Sequence, residues 1–202
     1  MNGQGPWTAL SAVILAGGAS RRMGQDKAWL EVGGVPLIER QIAMAREAGA
    51  SEVMISGRAN ANYLDLGVRV LFDEVAGCGP MAGIKRALEV ARGSHLLVLA
   101  VDLPAMTLEW LRWLGEQCGP EQGAVPRLDE ALEPLAAIYP TSVRPIMDAC
   151  WRSGRYAMQE FARTCAQEGR IRLIPVAAAD RGVFANWNRP GDFPAAGQPP
   201  TR

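Results

Sequence analysis

Arg22 and Lys27 belong to one glycine-rich loop, Leu15-Ala16-Gly17-Gly18-Ala19-Ser20-Arg21-Arg22-Met23-Gly24-Gln25-Asp26-Lys27, and both can bring positive charge to whatever that loop encloses. Phosphate suits such a loop. Glycines carry no Cβ, so backbone N–H groups can approach an anion closely, and the two cations neutralise it. The loop lacks the Gly-Lys-Ser/Thr ending of a Walker A motif and contains no Gly-x-Gly-x-x-Gly, so it is a phosphate cradle of another kind. The second chemical residue is Asp102, in Asp102-Leu103-Pro104 directly after the most apolar run of the chain, His95-Leu96-Leu97-Val98-Leu99-Ala100-Val101. In isolation Asp102 reads as a cap or turn residue before Pro104. Beside a phosphate loop it reads as the carboxylate that holds magnesium on a nucleoside triphosphate, since this hard cation keeps several waters and needs few protein ligands.

These residues need strands to bring them together. Ala12-Val13-Ile14-Leu15-Ala16 is a continuous apolar run that suits a strand covered on both faces, with the loop leaving its carboxyl end. Leu30 to Leu37 reads as an extended piece turned by Gly33-Gly34. Leu37, Ile38, Ile42, Ala45 and Ala48 recur at helical spacing up to Gly49. Val53–Ser56 and Val68–Phe72 follow as strands, Gly79-Pro80-Met81-Ala82-Gly83 opens a helix from Ile84 to Arg92, and His95–Val101 is the next strand. Leu108–Cys118 reads as a helix with Trp110, Trp113 and Leu114 as packing residues. Ala124–Pro126 and Leu135–Tyr139 are later strands, Ile146–Cys165 is largely helical with a break at Ser153-Gly154, and Ile171–Val176 is a late strand with alternation. Strand and helix alternate. The expected fold class is α/β: a single domain with a mostly parallel, doubly wound sheet and helices on both faces. In such a sheet the opening loop, Ser56-Gly57-Arg58, Asp73 with Gly79–Gly83, and Asp102 all finish at one edge, where ligands bind.

Composition narrows the function classes. The 202 residues are 49% hydrophobic, enough for one sizeable α/β core, and the whole of 1–202 reads as one domain with flexible tails at about 1–8 and 195–202. Lys plus Arg and Asp plus Glu number 21 each, so no global basic field draws nucleic acid or an anionic membrane. No apolar run approaches the roughly 18 residues of a membrane span, and the N-terminus lacks the pattern of a signal peptide. A cytoplasmic location is expected. Cys78, Cys118, Cys150 and Cys165 are scattered without a Cys-x-x-Cys pair, which disfavours zinc and suits reduced thiols. Cys78, in the Gly77-Cys78-Gly79-Pro80 loop, is the thiol that exposure would make reactive, and the sequence leaves its reactivity open. His95, the sole histidine, reads as a strand-entry residue rather than a base.

The opening motif through Lys27, Gly79-Pro80-Met81-Ala82-Gly83, Asp102-Leu103-Pro104 and Asn186-Trp187-Asn188-Arg189-Pro190 together resemble the molybdenum cofactor guanylyltransferases. The opening motif alone is shared with many nucleotidyltransferases, including sugar-phosphate and cytidylyl enzymes. The resemblance implies a Rossmann-like nucleotidyltransferase fold and transfer of GMP from GTP to the terminal phosphate of molybdopterin carrying molybdenum, with Mg2+. It implies that Leu15, Ala16, Gly17 and Gly18 contact the nucleotide, Lys27 its phosphates, Asp73 the nucleoside end, and Asp102 both nucleotide and metal. Arg22 joins Lys27 and Asp102 as a catalytic residue by its charge and position. Gly79, Pro80, Gly83, Asn186 and Asn188 are the candidate acceptor-binding residues, with a plain turn before Pro190 as the alternative for the asparagines. Transient contact with molybdoenzymes or their chaperones follows from the same resemblance. The chain departs from the family pattern at Ser56, where relatives often carry Asn, and at Arg189, where they carry Thr. Other readings of the same motifs are a molybdopterin cytidylyl or sugar-phosphate enzyme, or a protein that delivers the cofactor without chemistry.

Overall fold

The computed structural model describes residues 9–17, 26–57, 62–72 and 77–186. Gly18, Arg22, Arg58, Asp73, Asn188, Arg189 and the two tails lie outside the described residues. Strand β1 spans Leu10–Leu15, and its side chains are buried up to a half-buried Leu15, as expected of a strand covered on both faces. A hairpin of β2 (Glu31–Val32) and β3 (Val35–Pro36) turns through Gly33 and Gly34 at φ 61° and 79°, backbone that only glycine adopts readily. Helix α1 (Leu37–Glu47) buries Leu37, Ile38, Ile42 and Ala45 at the expected spacing. Then come β4 (Ala50–Gly57), β5 (Arg69–Phe72), α2 (Pro80–Val90), β6 (His95–Ala100) and α3 (Leu108–Glu116). Thr107 caps α3, accepting from the Trp110 N–H at 3.2 Å. The chain continues with β7 (Gly123–Leu128), β8 (Ala131–Leu132), β9 (Ala136–Pro140), α4 (Arg144–Arg152), α5 (Met158–Gln167) and β10 (Ile171–Pro175), then a 3-10 segment at Ala178–Phe184.

Among the described residues the main sheet has eight strands, ordered β10-β7-β9-β6-β1-β4-β5, with β8 beside β7. β1 pairs in parallel with both β4 and β6, β4 with β5, and β7 with β10, whereas β9 runs antiparallel between β6 and β7. The sheet is therefore mostly parallel, as expected. The reversal at β9 has a covalent cause: the chain between β7 and β9 is too short for the crossover of a dozen or so residues that a parallel return requires. The chain lays β4 and β5 on one side of β1, then crosses back to lay β6 on the other. That reversal opens a crevice between the carboxyl ends of β1 and β6.

Two cores hold the sheet. On one face Ala12, Ile14, Ile55, Leu97 and Leu99 pack against α1, α3 and Phe184; on the other Val13, Met54, Leu96 and Val98 pack against α2, α4 and α5. Each buried Val, Leu, Ile or Met among them contributes about 1.5–3 kcal/mol, so the strand ends are held by a large apolar area on both faces. Trp110 and Leu114 are core residues as expected, with Phe184 edge-on to Trp110 at 4.8 Å, while Trp113 is 41% exposed. Some expectations need correction. Helix α2 begins at Pro80 rather than Ile84, because proline at the first helical position sacrifices no hydrogen bond, so Gly83 is a buried residue of the helix. Cys78 is buried, 5% exposed, rather than open to solvent. β10 is an edge strand in which only Ile171 is fully buried, so its burial does not alternate. No described helix is long and apolar enough to cross a membrane.

Candidate active site

Lys27 and Asp102 meet at the crevice, Nζ to Oδ2 3.4 Å, with side chains 17% and 26% exposed. They come from opposite sides of β1 in the chain's logic: Lys27 returns from the β1 loop, and Asp102 follows β6. Backbone bonding fixes the platform between them. The Val101 N–H donates to the Leu15 carbonyl at 3.1 Å and the Ala16 N–H donates to the Ser56 carbonyl at 2.8 Å, so the end of β1 is tied to β6 on one side and β4 on the other. Gly17 emerges exposed from that platform.

Each member of the pair is held by neighbours that were not read as site residues. Asp26 caps the short 3-10 turn Lys27–Trp29, its Oδ1 accepting from the Ala28 N–H at 3.0 Å and its Oδ2 from the Tyr63 hydroxyl at 2.7 Å. Tyr63 is wholly buried, and its ring stacks on Trp29 with centroids 6.2 Å apart and planes 21° apart. It lies so close to Gly57 that a Cβ there would stand 2.4 Å from the Tyr63 ring, so glycine at the end of β4 is a packing requirement. Asp102 is held from the other direction. The buried Gln41 of α1 donates from Nε2 to the Leu103 carbonyl at 3.0 Å, and the Met106 N–H donates to the same carbonyl at 3.2 Å. A buried amide spent on one backbone carbonyl fixes the turn that presents Asp102.

The amino end of α2 reaches the same sheet edge. Gly77 and Gly79 take φ 93° and 58°, Pro80 follows, and no side chain caps the helix. Gly79 and Pro80 are exposed, and the N–H groups of the first turn carry the positive end of the helix dipole, a favourable place for an anion. Asn186 is exposed, two residues beyond the anchored Phe184, and makes no hydrogen bond among the described residues.

Covalent catalysis finds no support here. His95 is fully buried at the opposite, amino end of β6, with Nδ1 3.0 Å from the Ser94 hydroxyl, and burial holds it below its ordinary pKa, partly offset by backbone carbonyls of the 119–122 turn that accept from the ring. It is the strand-entry residue expected. All four cysteines are unpaired and buried, and burial pushes the Cys118 and Cys165 thiols up to about 12. No group of three or more His, Cys, Asp or Glu side chains suited to a metal occurs among the described residues. Asp102, a carboxylate beside Lys27, suits a magnesium ion that draws its remaining ligands from phosphate and water.

Lys27, Asp102, Leu15, Ala16 and Gly17 were expected together and stand together; Gly79 and Pro80 share their edge. Asp26, Tyr63, Gln41 and Gly57 were not singled out as site residues. For Asp26 the signal was available, since an aspartate two residues before a bonded N–H is a cap.

The chain is similar to known proteins in sequence and in fold. The family described as MobA-like NTP transferase domain matches residues 12–170. A protein of Opitutus terrae named "Probable molybdenum cofactor guanylyltransferase" is 40% identical over 92% of this chain and 93% of its own. The molybdenum cofactor guanylyltransferase of Xanthomonas euvesicatoria is 31% identical over 93% of this chain and 92% of its own. Among solved structures, molybdopterin-guanine dinucleotide biosynthesis protein A from Archaeoglobus fulgidus superimposes with a TM-score of 0.69 at 25% identity, covering 90% of this chain and 94% of its own. The 2-C-methyl-D-erythritol 4-phosphate cytidylyltransferase of Thermus thermophilus shares the fold, with a TM-score of 0.65 at 22% identity over 89% of this chain and 93% of its own. The fold thus serves more than one nucleotide, while these two sequence relatives share the guanylyltransferase name, and the chain belongs to the molybdenum cofactor guanylyltransferases, a family of MobA-like nucleotidyltransferases.

Proposed function

We propose that this enzyme transfers GMP from GTP to the terminal phosphate of molybdopterin carrying molybdenum, giving a guanine dinucleotide cofactor and pyrophosphate. The observation that carries the reading is the Lys27–Asp102 pair at the β1–β6 crevice, a cation for phosphate beside a carboxylate for metal. An oxygen of the acceptor phosphate bonds the α-phosphorus of GTP while the bond from that phosphorus to the α–β bridging oxygen breaks, and pyrophosphate leaves with the electron pair. The nucleophile is already anionic. Catalysis therefore reduces to alignment and charge neutralisation, and the chain's part is to position.

In this reading Leu15, Ala16, Gly17 and Gly18 form the floor under the nucleotide, Arg22 and Lys27 bind its phosphates, and Asp73 meets the nucleoside end. Gly79 and Pro80, at the exposed start of α2, with Asn186 and Asn188, bind the acceptor. Nucleotidyltransferases of this family generally use a divalent metal; we assign magnesium, with Asp102 as its protein ligand. When bound, the ion supplies charge neutralisation on the phosphate oxygens. A cytoplasmic location belongs to the same reading and is supported by four unpaired cysteines.

Pyrophosphate release tests it, with GTP, magnesium and molybdopterin supplied together and singly. Release that needs all three is expected. Release with a sugar phosphate in place of the pterin, or pterin binding without any turnover of GTP, contradicts it in favour of a sugar-phosphate enzyme or a delivery protein respectively.

A further inference from the structure

One carboxylate at this edge has no part in the mechanism above. Glu133 lies in the short connection between β8 and β9, and that connection is unusually well braced. The Gln159 side chain bonds both the N–H and the carbonyl of Leu132, at 3.1 and 2.6 Å. The Glu133 N–H donates to the Pro126 carbonyl at 2.9 Å, the Tyr139 hydroxyl to the Pro134 carbonyl at 3.0 Å, and the Ala100 N–H to the Leu135 carbonyl at 2.8 Å. Pro134 adds its own restriction by holding Glu133 in extended backbone. The backbone is thus fixed on every side while the half-buried Glu133 carboxylate has neither a hydrogen bond nor an ion pair among the described residues. The arginines bonded to the preceding turn are committed there: Arg181 pairs with Asp129 and Arg163 donates to the Glu130 carbonyl.

Its place in the sheet decides what it lies beside. The Ala100–Leu135 bond sets this connection against the end of β6, just before Asp102, on the β9 side. Lys27 is anchored from the other side, through Asp26 and Tyr63, by the chain that follows β4. With the nucleotide phosphates at Lys27 and the acceptor phosphate at the start of α2, the β9 side is left for the pterin end of the acceptor. Burial raises the Glu133 carboxyl above its ordinary pKa.

We propose that Glu133 recognises the pterin of the acceptor, its two carboxylate oxygens accepting the parallel N–H donors of a 2-amino-4-oxo pyrimidine edge. This rests on the acceptor reading given above. Guanine presents the same donor pair, so the test must separate base from pterin.

Steady-state constants for Glu133→Gln and Glu133→Ala, with GTP and molybdopterin varied in turn, do so. The acceptor KM is expected to rise about tenfold or more, as for loss of a charged hydrogen bond, while the GTP KM stays within about twofold. Both constants come from the same active fraction, so a loss of folded protein moves neither. Titration monitored by pterin fluorescence should show the same weakening without turnover. An unchanged acceptor KM overturns the proposal. So does a raised GTP KM with a narrowed preference for GTP over ITP, which lacks the amino donor, because Glu133 would then be reading the guanine. If wild-type protein forms no guanine dinucleotide, the acceptor reading itself fails, and the proposal with it.

Discussion

At the scale of single residues, the site consists of two charges and the neutral groups that hold them. Asp102→Asn keeps the shape of the side chain and removes the charge, so its cost falls on turnover. The expected loss is about 100- to 1000-fold in kcat, the range for one electrostatic element, with the thermal midpoint little changed. A variant that retains turnover would exclude Asp102 as the metal ligand. Tyr63→Phe deletes the hydroxyl that Asp26 accepts from and leaves the packing intact. Its expected signature is a several-fold rise in GTP KM together with a stability loss of about 1 kcal/mol, read by kinetics and by denaturant unfolding. The two residues also differ in how far they can be read from sequence. Lys27 and Asp102 announce themselves by type and by their place after apolar runs. Tyr63 and Gln41 do not, because their partners lie 37 and 62 residues away and no local pattern marks either as bonded.

At the scale of elements, strand ends and glycines set where those residues stand. Gly57 closes β4 directly against the Tyr63 ring, so Gly57→Ala places a methyl 2.4 Å from an aromatic carbon of a fully buried side chain. The expected cost is about 1–3 kcal/mol of stability, typical of overpacking, measured as a lower denaturation midpoint at unchanged slope. A neutral result would mean that Tyr63 can move, and that the anchor on Asp26 is weaker than its geometry suggests. Most elements were legible. Apolar runs placed β1 and β6, helical spacing placed α1, and paired glycines placed the β2–β3 turn. The direction of β9 was not, since its residues look alike in either orientation and only the length of the connection decides. The start of α2 was misjudged for a related reason: Pro80 punctuates a loop and opens a helix equally well.

At the scale of the molecule, the same sheet that presents chemistry at its carboxyl edge buries a histidine at its amino edge. Burial holds His95 below its ordinary 6.5, so between its folded pKa and about 6.5 the unfolded chain binds more protons than the folded one. Stability then rises with pH across that window and falls on acidification, by at most about 1.4 kcal/mol per pH unit. Thermal scans from pH 7 to 5 should show a falling midpoint, and His95→Gln should flatten it; an equally steep fall in the variant would assign the slope to other groups. The fold class and the family were legible in the sequence, because the loop, the Asp102 turn and the alternation of elements agree. The choice of nucleotide is not carried by the fold, which a cytidylyltransferase shares.

The central claim is therefore tested by competition. Wild-type protein is given equal concentrations of GTP and CTP, magnesium and one molybdopterin acceptor, and the dinucleotide products are separated by mass. A product that is predominantly the guanine dinucleotide is expected; equal or greater formation of the cytosine dinucleotide would contradict the assignment.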